Sequence, residues 1–544
     1  MNDEILQIEK LVNQGSYLQA EKIAWSLHKA NPNNLQITKI LGLVLLLQGN
    51  YLLAEKFYIE FMNKEPGDFD VNLNLAAIYA KNEEYQLCEK FALQANNLND
   101  QHSGSYIQLA ELCIKTRQFE KAKKLTEKCI ELKGGKQNLI ETNVENVRLK
   151  ILLSDIYQGL GLNDEAANFL KSLNDIDQTH PNFGENFGEN IYRILDINHK
   201  IVSPEDVKIL HSIIDKKYPD QKSNWKNKVG CLYSLGTFYE KAKEKERSEK
   251  YYDLANKMVL ERQRFVPMGE QKNIIELFNN YVHPDILPFA SDLSKGEGVI
   301  FVVGLPRSGT TLLESIFSTN ENIESGGELL SMTQLCRSLI DQKAYKFDKK
   351  ELQIHVDVLG DKYIKRIDYI RKEKKFFIDK LPGNYFNVAM IAKILPAAKI
   401  INLKRNPWDV SISAYKRMYI QNVAYASNFF YMAIGAANYL CLTQNWEKDE
   451  KLTNFRTFHY EELVANPRDT SNTIFDFCKI IGGFDLKKRT NFLSRTASQN
   501  QIRQEIHKSS IEKKEFDHHK KEFESSMNQQ LDFWQKKGLY SRLN

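Results

Sequence analysis

The stretch IFVVGLPRSGTTLLESIFSTN, residues 300–320, joins an apolar run, a glycine-rich turn and an apolar-periodic segment, which predicts a strand, a loop and a helix. Gly304 and Gly309 permit a tight turn, so the loop can direct backbone N–H groups and the helix N-terminus at an anion. A P-loop nucleoside triphosphatase carries Lys where this chain has Thr310, and that Lys reaches the β- and γ-phosphates. Because Arg307 lies within the loop instead, the sequence predicts an anion site that differs from an ATP site.

Short apolar runs alternate with longer helical patterns after about residue 295. They predict four strands, at residues 298–304, 374–380, 398–404 and 455–460. Strands that alternate with helices are typical of a parallel sheet with helices on both faces, where ligands bind at the carboxyl ends of the strands. Polar residues follow all four strands, and we expect them to share one site: Pro306–Thr311, Lys380, Lys404–Arg405 and Tyr460.

The composition indicates a globular protein with more than one domain. The chain has 544 residues, of which 42% are hydrophobic and 27% charged, and its net charge of +5 argues against a protein that coats nucleic acid. Seven scattered cysteines without a C-x-x-C pair indicate reduced thiols. The N-terminus does not resemble a signal peptide, and the longest apolar run, residues 41–47, is too short to span a bilayer. We therefore expect a cytoplasmic protein without a membrane span or a nucleic-acid partner.

The first half of the chain contains a repeat of 34 residues. Aromatic residues recur at this interval, at Tyr17, Tyr51, Tyr85 and Phe119. Small residues recur with them, at Gly42, Ala76 and Ala110. Each unit reads as helix, turn and helix: the small residue lets two helices approach, and the aromatic residue eight or nine positions later fills the space between them. This period and pattern resemble the tetratricopeptide repeat (TPR).

The repeat implies an α-solenoid over residues 1–175, in which neighbouring units bury each other's apolar faces. A connecting helical region is expected at 176–294, with a late, degenerate helix pair at 230–262, and a sheet-containing domain at 295–544. The concave side of such a solenoid commonly binds extended peptide, so we expect a peptide or protein substrate or partner there. A rigid spacer or a dimerisation element is the alternative. The oligomeric state stays open, with a homodimer as one arrangement.

A second motif, LKRNPWDVSISAYKRM, begins at residue 403, at the end of the third predicted strand. With the glycine-rich loop it resembles the sulfotransferase family, which uses 3′-phosphoadenosine 5′-phosphosulfate (PAPS) as sulfuryl donor and releases PAP. The resemblance covers residues 296–540. It implies that the first loop binds the 5′-phosphosulfate, through Pro306, Arg307, Ser308, Gly309, Thr310 and Thr311.

The same resemblance implies that Arg405 and Ser413 bind the 3′-phosphate. A guanidinium and a hydroxyl together make a good phosphate receptor. Arg417 follows Ser413 by four residues, so we expect both on one helix face and Arg417 as a further cation. Because Thr310 replaces the P-loop Lys and no strand ends in a clear Mg²⁺-binding Asp, we expect cations of the protein, and no metal, to neutralise the nucleotide.

Among sulfotransferases, the chain resembles the tyrosylprotein type. Glu328 lies in ESGGELL, 21 residues after Arg307, and Lys380 lies in IDKLPGNY. The resemblance implies that Glu328 is the general base for the acceptor hydroxyl, while Lys380 and Arg307 stabilise charge on the transferring group. His459 is the second choice for the base. The implied acceptor is a tyrosine in a peptide or protein, and a glycan or small-molecule hydroxyl stays open.

Three further cofactor contacts are implied by the resemblance: Tyr460, Ser498 and Lys513. The last lies in KSSIEKKEF, residues 508–516, which lacks the family's Gly and Trp. His518 and His519 are neighbours in a charged helical segment. Because neighbours on a helix point apart, we expect a solvated face there and not a two-histidine metal site.

The sequence thus predicts an α + α/β chain, with an N-terminal TPR α-solenoid followed by a P-loop-like α/β sulfotransferase domain around a central parallel sheet. TPR units upstream of such a domain also resemble a bacterial TPR–sulfotransferase architecture. One alternative is a TPR adaptor whose sulfotransferase-like domain binds nucleotide without catalysis; the altered 508–516 segment favours it, whereas the presence of Glu328 and Lys380 disfavours it. A small-molecule kinase with a degenerate P-loop is a further alternative, which Thr310 disfavours.

Overall fold

The structure is a computed structural model that describes residues 2–135, 144–172, 187–215, 225–263, 267–282, 286–419, 424–491, 511 and 514–542. The chain divides into two compact units, Met1–Ile156 and Tyr157–Asn544. Among the described residues, no helix combines the length and apolar character needed to cross a membrane. The boundaries 1–175, 176–294 and 295–544 stay a prediction.

The first unit consists of helices, which pack in consecutive pairs. They are α1 (Asn2–Asn13), α2 (Tyr17–Ala30), α3 (Leu35–Leu47), α4 (Tyr51–Met62), α5 (Phe69–Lys81), α6 (Tyr85–Leu98), α7 (Ser103–Lys115), α8 (Phe119–Leu132) and the start of α9 (Val144–Gly159). Asn34, Asn50 and Asp68 begin α3, α4 and α5, since each side chain accepts a hydrogen bond from a first-turn N–H. The predicted helical repeat is therefore confirmed.

The small residue of the repeat has the expected role, but its aromatic partner differs from the prediction. A Cβ atom on Gly42 would lie 2.8 Å from the ring of Tyr58, so only glycine lets α3 and α4 pack at this separation. Tyr51 is only partly buried. The ring that packs against Gly42 therefore belongs to Tyr58, 16 positions later in the sequence, and not to Tyr51, nine positions later. Tyr58 lies in the interior of α4, whereas Tyr51 is its first residue.

The second unit begins with further helices and then contains the sheet. Its first helices are α10 (Asn163–Ser172), α11 (Phe187–Asn198), α12 (Pro204–Asp215), α13 (Trp225–Lys241), α14 (Lys245–Arg262) and α15 (Pro267–Leu277). A Cβ atom on Gly236 would lie 2.9 Å from the ring of Tyr252, which is again 16 positions later. The pair α13–α14 therefore repeats the packing of α3–α4 and is built like a TPR unit.

The sheet has five parallel strands in the order β2-β3-β1-β4-β5. They are β1 (Val299–Val303), β2 (Ile323–Gly327), β3 (Phe376–Asp379), β4 (Lys399–Lys404) and β5 (Phe455–His459). The four predicted strands are confirmed. β2 was not predicted, because IESGG is short and rich in glycine, and it pairs at the sheet edge with a register shift between Ser325 and Gly327.

Helices cover both faces of the sheet. The remaining helices are α16 (Thr310–Phe317), α17 (Ser331–Asp341), α18 (Lys349–Arg371), α19 (Val388–Ile394), α20 (Pro407–Tyr415), α21 (Phe429–Lys448), α22 (Tyr460–Ala465), α23 (Pro467–Phe477) and α24 (Asp517–Lys536). On one face the stacked rings of Phe317 and Phe475 belong to the apolar core. On the other, Phe301 packs against Tyr363 of α18. The loops that follow the strands lie at the carboxyl edge of the sheet.

Candidate functional site

The loop after β1 keeps a shape that side chains at its two glycines would prevent. Gly309 has φ 99°, and a Cβ atom there would lie 2.3 Å from the Tyr460 ring. A Cβ atom on Gly304 would lie 2.6 Å from the carbonyl oxygen of Leu403. Arg307 also has a positive φ, 75°, which is costly for a residue with a side chain. The loop is thus a strained turn held between β4 and Tyr460.

Arg307, Arg405 and Ser413 lie together although about a hundred residues separate them. Arg307 Nε donates to Ser413 Oγ at 3.2 Å, and Arg405 Nη1 donates to the carbonyl oxygen of Arg307 at 2.9 Å. The Arg405 guanidinium also lies over the Tyr460 ring, 4.4 Å from its centroid. The structure therefore brings together four residues that the sequence predicts to share a site.

Positive charge is concentrated around this loop. Burial, together with the neighbouring charge of Arg417, lowers the pKa of Arg307 to about 10. Burial lowers the pKa of Arg405 as well. The partly buried Arg307 and the buried Arg417 repel each other, which favours the binding of an anion between or beside them.

Arg417 is held by a helix from outside the predicted catalytic region. Its Nη1 donates to Asp196 Oδ1 at 3.0 Å, and Tyr192 of the same helix, α11, accepts from it at 3.5 Å. Burial acts to lower the pKa of Arg417, but Asp196 and Tyr192 outweigh that effect and raise it. The prediction that Arg417 shares a helix face with Ser413 is wrong, because α20 ends at Tyr415.

Lys380 and Glu328 form the second part of the site. Glu328 follows β2 and Lys380 follows the neighbouring β3, so their side chains meet at the sheet edge, with Lys380 Nζ 2.6 Å from Glu328 Oε1. Lys380 is fully buried, whereas the side chain of Glu328 is 44% exposed. A carboxylate that is held by a cation and open to solvent can receive a proton from an incoming hydroxyl.

Glu314 completes the surroundings of Lys380 and was not predicted. It lies in α16, is 1% exposed, and its Oε2 is 3.5 Å from Lys380 Nζ. Its Oε1 accepts from Ser325 Oγ of β2 at 2.6 Å. In the sequence, Glu314 resembles a residue of an ordinary amphipathic helix. The only indication of a role was its charge within the mostly apolar stretch LLESIF.

Tyr419 interacts electrostatically with charged residues of both parts of the site and was also not predicted. Burial raises its pKa, the charges of Arg307 and Arg417 oppose that shift, and the charge of Glu328 adds to it. Its hydroxyl is buried and has no hydrogen-bond partner among the residues that the structure describes. The charges of Arg307, Arg417 and Glu328 thus all influence this one hydroxyl.

The other loop residues predicted to bind the cofactor are mostly buried. Ser308 is fully buried, and its hydroxyl likewise lacks a hydrogen-bond partner within the described ranges. Thr310 and Thr311 are buried in the first turn of α16, where N–H groups have no acceptor within the helix. Pro306 is partly buried. A ligand oxygen would satisfy the donors that this loop presents.

Four predictions concern residues elsewhere. Ser498 and Lys513 lie outside the described residues. His459 is exposed at the end of β5. The expectation that His518 and His519 point apart is wrong, because their Nε2 atoms contact the two oxygens of one carboxylate, that of Asp253 in α14, at 3.3 and 3.4 Å. The three side chains place one donor atom each within 4.8 Å of one another.

Comparison with known proteins identifies two parts of the chain. Residues 299–481 match the sequence model of the sulfotransferase family, and residues 103–135, which contain α7 and α8, match that of the tetratricopeptide repeat. An uncharacterized protein from Aquifex aeolicus (strain VF5) is 24% identical over 330 residues, which are 57% of this chain. The chain spans 42% of the length of that relative.

Solved structures of both kinds are similar to parts of the chain. The sulfotransferase domain from the Synechococcus PCC 7002 olefin synthase is 18% identical, with 47% of this chain and 99% of that chain covered and a TM-score of 0.31. A tetratricopeptide repeat protein from Parabacteroides merdae ATCC 43184 is 16% identical, with 47% of this chain and 92% of that chain covered and a TM-score of 0.34. From the two sequence matches and the observed architecture, the chain carries a sulfotransferase-family domain preceded by tetratricopeptide repeats.

Proposed function

We propose that the protein transfers a sulfuryl group from PAPS to an acceptor hydroxyl. The observation that carries this proposal is the arrangement at one edge of the sheet. Arg405 and Ser413 contact Arg307 of the glycine-rich loop, and the paired Glu328 and Lys380 follow the adjacent strands β2 and β3. Cations for an anionic donor and a carboxylate for an acceptor proton are thus provided by one edge of the sheet.

The residues around the loop fit a bis-anionic nucleotide. The buried Ser308 hydroxyl, the first turn of α16 and Arg307 suit the 5′-phosphosulfate. Arg405 and Ser413 suit the 3′-phosphate, with the aromatic face of Tyr460 holding the Arg405 guanidinium in place. Arg417 would add charge, although part of it is balanced by Asp196. PAPS would supply the activated sulfuryl group.

The chain's own groups would carry out the proton and charge steps. Glu328 would accept the proton of the acceptor hydroxyl as that oxygen attacks sulfur, while the bond between sulfur and the 5′-phosphate oxygen breaks and PAP leaves. Lys380 positions Glu328 through their 2.6 Å contact and, with Arg307, would stabilise negative charge that develops on the oxygens of the transferring group. Glu314 keeps Lys380 at this position from the opposite side. As in phosphoryl transfer, positioning and electrostatic stabilisation provide most of the acceleration.

The acceptor that we favour is a phenol, with a tyrosine of a peptide or protein as the first choice and a glycan or other small hydroxyl compound as the next. The TPR helices support a peptide or protein substrate or partner, because stacked helical repeats offer an extended binding surface. The compartment we propose is the cytoplasm.

The test is incubation of the full chain with ³⁵S-labelled PAPS and a panel of tyrosine peptides, glycans and phenols. We expect label in at least one class of acceptor, and loss of that label in Glu328→Ala. If PAP binds tightly but no acceptor is labelled, the transferase proposal is wrong and the nucleotide-binding adaptor takes its place.

A further inference from the structure

A cavity of about 210 Å³ lies beside the proposed transfer site, within the second unit. Leu305 and Pro306 form one wall and directly precede Arg307. Ser411 and Ala414 of α20 form another, next to Ser413, and Gly383 comes three residues after Lys380. The cavity is therefore lined by direct chain neighbours of Arg307 and Ser413, and we place the acceptor in it.

The cavity has the size and lining for one aromatic ring with a short side chain. Four aromatic residues contribute to its walls: Tyr385, Phe386, Tyr425 and Tyr431. Its volume exceeds the roughly 150 Å³ of a cavity that takes up benzene. Aromatic walls favour a flat ring, and their faces also attract cations.

One carboxylate, Glu270 of α15, lines this aromatic cavity. Its Oε2 accepts a hydrogen bond from Asn438 Nδ2 at 3.1 Å. Burial raises the pKa of Glu270, and the Asn438 hydrogen bond opposes that shift without reversing it. Within the part of the chain that the structure describes, no Lys, Arg or His forms an ion pair with Glu270.

A buried network fixes the direction of the Asn438 hydrogen bond. Asn438 is fully buried, and its Oδ1 accepts from Trp534 Nε1 at 2.9 Å and from Gln530 Nε2 at 3.0 Å. Because an indole N–H can only donate, the oxygen of Asn438 must face Trp534 and its amide must face Glu270. Gln271, next to Glu270 in α15, donates to Gln530 at 2.7 Å. The carboxylate is thus oriented by three residues from α21 and α24.

We infer that this cavity selects an acceptor that carries an ammonium group, namely a phenol with a short aminoalkyl chain, and that Glu270 is the residue that determines this specificity. The inference rests on the proposed function, and among the acceptors considered there it selects a small hydroxyl compound in place of a peptide tyrosine. The aromatic walls would hold the phenol ring and Glu270 would pair with the ammonium group, which compensates the cost of an ionised carboxylate in an aromatic surrounding.

The test compares two acceptors of the same shape, tyramine and 4-ethylphenol, which differ in the ammonium group. We expect kcat/KM of the full chain to be at least about tenfold higher for tyramine, since a charge-assisted contact is at stake. In Glu270→Gln this preference should vanish while 4-ethylphenol turns over as in the wild type. Glu276→Gln, on the same helix but outside the cavity, is the matched control and should keep the preference.

A binding measurement separates this inference from the proposed function. Calorimetry in the presence of PAP should give tighter binding of tyramine than of 4-ethylphenol, and the binding order should extend to 3-(4-hydroxyphenyl)propionate as the weakest ligand. If a tyrosine peptide or a glycan is sulfated but tyramine neither binds nor reacts, the inference is wrong and the proposed function stands. If tyramine binds selectively but no acceptor is sulfated, the proposed function fails. If Glu270→Gln lowers turnover of both phenols equally, Glu270 does not select the ammonium group and the inference is overturned.

Discussion

Two cations of the site, the buried Lys380 and the partly buried Arg307, lie in opposite electrostatic surroundings. Lys380 is between two carboxylates, with its Nζ 2.6 Å from Glu328 and 3.5 Å from Glu314. Arg307 is beside another guanidinium, that of Arg417, and burial together with that charge lowers its pKa to about 10. One cation is stabilised by the fold itself, and the other is destabilised by it.

This difference indicates two separate tasks. A lysine that the protein already balances can hold Glu328 and keep a fixed position throughout a reaction cycle. An arginine that is repelled by a neighbouring arginine is stabilised when an anion binds beside it. The relief of this repulsion adds to the affinity for the anionic ligand. Variants that change the surroundings of only one of the two cations can test whether Lys380 and Arg307 have these separate tasks.

The largest effect should come from Glu328→Gln. Removal of the general base should lower kcat about 1,000-fold, within the range typical of general acid–base catalysis. The dissociation constant of PAP should not change, because the variant leaves the arginine cluster intact. Initial rates and calorimetry measure the two quantities. Glu321→Gln, an exposed residue before β2, is the control; a comparable rate loss there, or retained turnover in Glu328→Gln, contradicts the assignment.

Arg307→Met should separate stability from binding. We expect PAP affinity to fall about 100-fold, as for the loss of strong charge-assisted contacts. The ligand-free protein should melt at a higher temperature, because a pKa lowered in the folded state means that the charged form destabilises the fold below pH 10. Calorimetry and thermal melts measure both. Unchanged PAP affinity with lower stability would make Arg307 a structural residue.

Glu314→Gln should affect turnover but not nucleotide binding. The amide can still accept from Ser325, whereas Lys380 loses one of its two carboxylates, so we expect a roughly tenfold loss of kcat from the looser position of Lys380. The PAP dissociation constant should stay the same. A parallel loss of PAP affinity would instead indicate collapse of the loop that precedes α16.

The smallest effect concerns pH. Arg307 is charged below its pKa of about 10 and neutral above it, so PAP affinity should fall by a few-fold as pH rises from 8 through 10. Other groups titrate in this range, and therefore the slope is compared with that of Arg307→Met, which should be shallower. Equal slopes would remove Arg307 from the pH dependence.

The residues that could be predicted from the sequence are those that follow strands. Runs such as GVIFVVG and AKIINLK mark β1 and β4, and the polar residues after them meet at one edge because the sheet is parallel. β2 could not be predicted, since IESGG has a single β-branched residue, Ile323, no aromatic residue and two glycines. Glu314 and Asp196 were missed for another reason: their roles depend on contacts with Lys380 and Arg417, residues far away in the sequence.

The most direct test of the central claim is whether the chain recognises a 3′-phosphate. Titration calorimetry of PAP and of ADP against the full chain should give at least about 100-fold tighter binding of PAP. Arg405→Ala should remove most of that difference, and Arg405→Lys should restore part of it. If the wild-type chain binds ADP as tightly as PAP, or if Arg405→Ala weakens both nucleotides equally, the arginine cluster is not a PAPS site and the proposed sulfuryl transfer is contradicted.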